Sequence, residues 1–107
     1  MTTSFKIPTS DGAGEIPLYV AEPDGKPRAA LLIDHEIYGL NADIRRKCDL
    51  LAQQGYLAIA PDLFWRLEAG VELDPYIAST RERSIAHAKR FDSDAGVRDI
   101  QTTIDVA

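Results

Sequence analysis

Residues 29–40 read AALLIDHEIYGL, an apolar run that stops abruptly at three ionisable side chains and then meets a glycine. Ala29, Ala30, Leu31, Leu32 and Ile33 carry no polar alternation, the pattern of a short strand buried on both faces in a parallel sheet. Asp34, His35 and Glu36 follow where the strand should emerge, Gly39 permits a sharp bend, and Asn41 can cap a following helix. In open α/β sheets, ligands bind in the crevice beyond the carboxyl ends of the strands. The polar cluster at 34–36 is therefore the first candidate site.

Working outward, residues 41–54 place Ile44, Cys48, Leu51 and Ala52 at helical spacing, turn Arg45, Arg46, Lys47 and Asp49 outward, and are followed by Gly55 as a stop. Burying Ile44 and Leu51 against a sheet contributes about 1.5–3 kcal/mol each. Residues 56–60 form a second continuously apolar strand, ended by Pro61. Strand, helix and strand in this spacing make a βαβ unit with a right-handed crossover.

Toward the start of the chain, residues 4–7 and 16–21 are strand candidates separated by Ser10, Asp11, Gly12, Ala13 and Gly14, and they read as a hairpin. Ile16, Leu18 and Val20 alternate with Pro17, Tyr19 and Ala21, which gives one firmly apolar face. Pro17 lacks a ladder donor, so this strand is expected near an edge. Residues 62–74 have no period and read as a loop across the top of the sheet. Residues 78–91 suggest a helix with Ile85 and Ala88 inward and His87 on the surface. Ser93 can cap a last helix with Val97, Ile100 and Ile104 on one stripe. That helix is still running at Ala107, with no glycine, proline or basic turn to stop it.

Composition narrows the function classes. The 107 residues suit one small domain, 45% of them apolar and 27% charged, as in ordinary globular proteins. A net charge of -5 supplies no basic footprint, so neither nucleic acid nor an anionic membrane surface is expected as a partner. The lone Cys48 forms no internal disulfide, and no apolar segment approaches the roughly 20 residues that span a bilayer. Residues 1–6 lack the basic start and apolar core of a signal peptide, which makes the cytoplasm the expected compartment. Neither histidine has a second ligand at useful spacing, so no metal or other cofactor is expected.

The stretch HEIYGLNADIRRKCDLLAQQGYLAIAPDLFWR, residues 35–66, resembles the N-terminal portion of the dienelactone hydrolase family, carboxymethylenebutenolidase-type enzymes with the α/β-hydrolase fold. The likeness starts at the HEIYGLN turn, runs through a helix ending QGY into a strand ending APDL, and continues through LDP at 73–75 to FDSDAGVRD at 91–99. The fold it implies is α/β, the N-terminal part of an α/β-hydrolase domain: an antiparallel hairpin, then a βαβ unit and helices on a mostly parallel sheet. The activity it implies is hydrolysis of a cyclic ester, a dienelactone opened to a linear dicarboxylate, by a Cys-His-Asp triad downstream of residue 107. Residues 1–107 would then be part of a single catalytic domain, inactive alone.

Carried over position by position, the resemblance makes Glu36 the carboxylate that contacts the nucleophilic thiol and helps generate the thiolate. A carboxylate in a partly buried crevice has a raised proton affinity that suits this task. The same resemblance makes Ile37 the residue whose backbone N–H helps to bind the oxyanion. Arg81 falls where the family grips the substrate carboxylate, with Arg83 as a rival, and Tyr38, Phe64 and Trp65 could line the pocket. Cys48 is not the nucleophile, because it lies on the apolar stripe of a helix and away from any GxCxG elbow.

Each of these has a plainer alternative. Glu36 can be an ordinary strand-end acid, Arg81 a solvated helix charge, and Tyr38, Phe64 and Trp65 packing aromatics. His35 is expected to bond a loop backbone, and Asp34 and Asp62 to bond turns. Two other functions stay open: a serine-type α/β-hydrolase, esterase or peptidase, and a non-catalytic α/β binding module. A dinucleotide site is disfavoured because the turn after Ile33 lacks GxGxxG. The expected partners are a small lactone or ester substrate, and either the remaining segment of the domain or a second copy of the chain paired along an exposed sheet edge.

Overall fold

The computed structural model describes residues 2–68, 70–77 and 80–106. Its elements, in chain order, are β1 (Thr2–Pro8), β2 (Glu15–Ala21), β3 (Ala30–Leu32), α1 (Ala42–Gln53), β4 (Leu57–Pro61), α2 (Arg81–Arg90) and α3 (Ser93–Val106). The strands form one sheet in the order β1-β2-β4-β3. β1 pairs antiparallel with β2, β2 antiparallel with β4, and β3 parallel with β4, so the sheet is mixed and only the βαβ unit supplies a parallel pair.

Side-chain alternation along β2 and β4 divides the core between the two faces. Ile16, Leu18, Val20 and Ile59 gather with Ile7 on one face, where Leu57 and Trp65 pack on them. Ala21, Ala58 and Ala60 face the other way and receive Ile44 and Cys48 of α1, with Leu51 and Ala52 at the margin. The helix begins where the sequence places its cap: the Asn41 side chain accepts from the Ile44 amide at 3.1 Å. It stops before Gly55, whose φ of +94° is the left-handed conformation that favours glycine.

Several expectations are corrected. β2 lies inside the sheet, not near its edge. Pro17 is tolerated there because the ladder to β4 starts at Leu18, and the Pro17 carbonyl only accepts from the Asp62 amide at 2.8 Å. The strand read as buried on both faces leaves Ala29 and Ala30 exposed and Leu31, Leu32 and Ile33 half-buried, while its outer side is the expected open sheet edge. In α2, Ile85 and Ala88 face outward while Ser84 and His87 are buried. Ala78, the expected first residue of that helix, lies outside the described residues.

In α3 the predicted stripe is largely uncovered, Val97 being 65% and Ile104 50% exposed, and Ile100 half-buried. Ala95, Gly96, Asp99 and Thr103 face the core instead. The cap is Asp92, not Ser93: its carboxylate accepts from the Ala95 amide at 3.1 Å. Polar clamping explains the reversed face. Asp99, 1% exposed, receives Nε and Nη2 of Arg66 at 3.0 and 2.8 Å and the Trp65 indole N–H at 3.0 Å. Arg66 also lies over the Trp65 ring and donates to Asp11 in the β1–β2 turn at 2.9 Å. The Arg66 guanidinium holds the Asp11 carboxyl well below the usual carboxylate range.

Two outcomes follow. Asp99→Leu removes two of the three bonds to the Arg66 guanidinium, leaving it only Asp11, and strands the Trp65 donor, so a loss of about 2–4 kcal/mol is expected in chemical denaturation, beyond that of an exposed acid such as Asp105. The open β3 edge and the bare α3 stripe should make the 107-residue polypeptide self-associate; a monodisperse monomer in analytical ultracentrifugation, melting cooperatively, would contradict this.

Candidate active site at the tip of β3

After β3 the chain passes through Asp34 and His35 into a tight turn, closed by the Gly39 amide donating to the Glu36 carbonyl at 3.2 Å. Gly39 adopts φ +80°, and a Cβ there would lie 2.1 Å from the Val71 carbonyl oxygen, so both backbone conformation and space require glycine. The turn is anchored behind by the Leu73 amide donating to the Tyr38 carbonyl and by the Asn41 side-chain amide donating to the Leu73 carbonyl, each at 2.9 Å. Asn41 thus caps α1 and holds the loop with one side chain.

A groove of about 380 Å³ opens in front of this turn. Asp34, His35, Glu36 and Ile37 form one wall, Leu63 and Phe64 the floor, and Phe91, Gly96, Val97 and Ile100 the helical side. It lies beyond the end of β3, and its lining combines a few polar groups with an apolar majority, as small-molecule sites do.

The predicted residues fare differently. Glu36 stands at the rim of the groove with an exposed side chain, not in the partly buried crevice expected of it. Ile37 is half-buried, and among the described residues no acceptor engages its backbone N–H. Tyr38 does not line this groove; it packs on Phe64, Val71 and Leu73. Arg81 is exposed on the first turn of α2 and lines none of the groove. Its rival Arg83 is paired with Glu68. Trp65 belongs to the hairpin core and the Asp99 clamp.

His35 bonds the loop backbone as expected: the Leu63 amide donates to its Nε2 at 2.9 Å. The buried Asp62 carboxylate bonds turns, accepting from the Phe64 and Gly70 amides at 3.1 and 3.0 Å. Even so, desolvation raises its proton affinity, and desolvation likewise raises that of Asp34 at the end of β3. His87, expected on the surface, is buried, stacked on Phe64 and bonded to the Arg83 carbonyl and the Glu68 carboxylate. Cys48 is fully buried under the sheet, and desolvation pushes its thiol up to about 11. No cluster of metal-ligating side chains occurs among the described residues.

Phe64 lines the groove as one of the aromatic pocket candidates, whereas the wall made by Phe91, Gly96 and Val97 is absent from the sequence-based candidates. Its one legible sign is FDSDAG at 91–96, where a Cβ on Gly96 would meet the Phe91 ring at 2.4 Å. No helix among the described residues is long and apolar enough to cross a membrane.

Known proteins resemble this chain in sequence and in structure. It is 40% identical over 93 residues to an Azospirillum brasilense protein assigned as a carboxymethylenebutenolidase, covering 86% of this chain and 40% of that one. Against the carboxymethylenebutenolidase of Pseudomonas putida it is 35% identical over 104 residues, covering 97% and 44%. A crystal structure of a Klebsiella pneumoniae protein assigned to the dienelactone hydrolases superposes with a TM-score of 0.69 at 28% identity, covering 94% of this chain and 40% of that one. The chain thus spans about two fifths of the length of the relatives it matches. The model of the dienelactone hydrolase family matches residues 16–107, and with that coverage, on an α/β-hydrolase framework, the chain belongs to this family.

Proposed function

We propose that residues 1–107 form the N-terminal part of a single α/β-hydrolase domain that opens cyclic esters of the dienelactone type, and that the turn after β3 supplies half of its catalytic apparatus. The observation that carries this reading is the placement of two groups side by side. The Glu36 carboxylate and the unengaged Ile37 N–H stand together beyond the tip of β3, a strand with an open edge, and beside an apolar groove.

In the proposed reaction a thiol supplied from beyond these residues transfers its proton toward Glu36 as substrate binds, and the resulting thiolate attacks the lactone carbonyl carbon. The negative charge that develops on the carbonyl oxygen is met by the Ile37 N–H and a second backbone donor after the nucleophile. Collapse of the tetrahedral species breaks the ring C–O bond, and water then hydrolyses the thioester to the open carboxylate. A triad histidine and aspartate would pass the protons. Exposure of Glu36 is in keeping with this scheme, because the partner of its carboxylate would occupy the open side of β3. Arg81, exposed and unpaired among the described residues, remains the proposed anchor for a substrate carboxylate, and Tyr38 acts in the proposal only by shaping the turn behind the groove.

Within this chain Cys48 is removed from the chemistry by its burial and its high proton affinity. In the protein as its gene encodes it, Glu36→Ala should lower kcat/KM on a dienelactone by about 100-fold or more while leaving the melting temperature near that of the parent. Unchanged turnover in that variant would remove Glu36 from the mechanism. Iodoacetamide should abolish turnover, yet Cys48 should stay unmodified at pH 8 until the protein is unfolded, as read by peptide mass mapping. Turnover that survives alkylation but falls to a serine-directed phosphonate would favour a serine nucleophile instead.

A further inference from the structure

The turn that carries Glu36 and Ile37 is held by a side chain with no part in the reaction just described. His35 is almost fully enclosed, its side chain 2% exposed, and both of its ring nitrogens are engaged. Nε2 lies 2.9 Å from the Leu63 amide nitrogen, which can only donate, so Nε2 carries no proton. Nδ1 lies 2.7 Å from the Glu36 carbonyl oxygen, which can only accept, so Nδ1 carries the proton. The two contacts together select a single neutral tautomer. Phe64 meets the imidazole ring edge-on with centroids 4.8 Å apart, and the Asp62 carboxylate lies 4.0 Å from Nε2, so the ring has little freedom to turn over.

The bond from Nδ1 acts on a peptide group whose far end matters. The Glu36 carbonyl and the Ile37 N–H belong to one planar trans peptide, in which C=O and N–H point in opposite directions. Fixing the carbonyl therefore fixes the direction of the N–H. Two donors fix it here, Gly39 N–H at 3.2 Å and His35 Nδ1–H at 2.7 Å, and the His35 bond is the shorter. Through Leu63 the same ring ties this peptide to the end of β4, the interior strand that pairs with β3. The Glu36–Ile37 peptide is thus referenced to the sheet through a side chain as well as through its own strand.

We infer that His35 is a positioning residue for ester hydrolysis: as the Nδ1–H tautomer, set by the Leu63 amide, it locks the Glu36–Ile37 peptide so that the Ile37 N–H faces the groove. The inference rests on the reading of Ile37 as an oxyanion donor and adds what aims it. A preorganised donor lowers the barrier only if it need not reorient during reaction, and misplacement by about 1 Å can cost 100-fold in rate.

The test uses the protein as its gene encodes it, with His35→Leu, His35→Asn, Glu36→Ala and a ¹⁵N-histidine NMR spectrum of the parent. Leucine removes both bonds; asparagine places an amide nitrogen near the position of Nδ1 and keeps the donor to the Glu36 carbonyl. The expected result is a bare Nε2 and protonated Nδ1 for His35 at neutral pH. His35→Leu should lose about 10- to 100-fold in kcat with KM within about 2-fold, and His35→Asn should recover most of the loss. An Nε2–H tautomer or a doubly protonated ring overturns the inference. So does a folded His35→Leu protein with parental kcat, or a folded His35→Asn protein as slow as the leucine variant. If His35→Leu does not fold, the tautomer and the asparagine variant decide. Full turnover in Glu36→Ala, or no ester turnover in the parent, sinks the functional reading instead, and the tautomer still decides whether the lock exists.

Discussion

Parallel pairing of β3 with β4 is the constraint on which the candidate site depends. Three residue pairs, Ala30–Leu57, Leu31–Ala58 and Leu32–Ile59, hold the strand, and only on one side. The ladder is prolonged by the Ile33 amide donating to the Ile59 carbonyl at 2.8 Å, and beyond it no backbone bond joins the two strands among the described residues. A strand held along one edge frays readily at its end, which is where Glu36 and Ile37 follow. The bond from Leu63 to His35 closes that gap beyond the last ladder contact. α1 reinforces the same unit from one face, since Ile44 and Cys48 bury against Ala58 and Ala60 of β4.

On the opposite face the constraint is ionic. The Asp99 carboxylate sets the depth and rotation of α3 by accepting from both Arg66 and Trp65, and Arg66 carries the linkage on to Asp11 in the hairpin turn. That clamp orients the helix so that Gly96 and Val97 border the groove while Ala95 and Thr103 enter the core. The rotation leaves Val97 and Ile104 bare, and the groove inherits part of its apolar wall from the same choice.

Much of this was legible in the residues. α1 announces itself through Asn41, the 44–48–51 spacing and Gly55, because an amphipathic helix on a sheet needs that pattern. The hairpin faces were readable from Ile16, Leu18 and Val20, whose alternation survives in the core. What misled was polarity inside. Ser84, His87 and Asp99 are buried because each finds a bonding partner, and apolar periodicity is blind to such pairs, so Ile85 and Ile104 were expected where polar groups sit. β3 misled for another reason: a continuous apolar run reports that a strand can be covered on both faces, not whether it has a neighbour on both edges. At the site, the order of residues around Glu36 was readable, but the Leu63–His35–Glu36 connection joins positions 28 apart and has no local pattern.

Gly39 carries a consequence for how proteins built this way can diverge. With the Val71 carbonyl oxygen occupying the space of a side chain and φ at +80°, the turn admits neither a substitution there nor an easy change of length. The rear wall of the groove is frozen, whereas Leu63, Phe64, Val97 and Ile100 across from it meet no such backbone restriction. On the proposed reading of the site, new substrate preferences would therefore be written on the floor and helix side of the cleft, leaving the turn after β3 untouched from one descendant to the next.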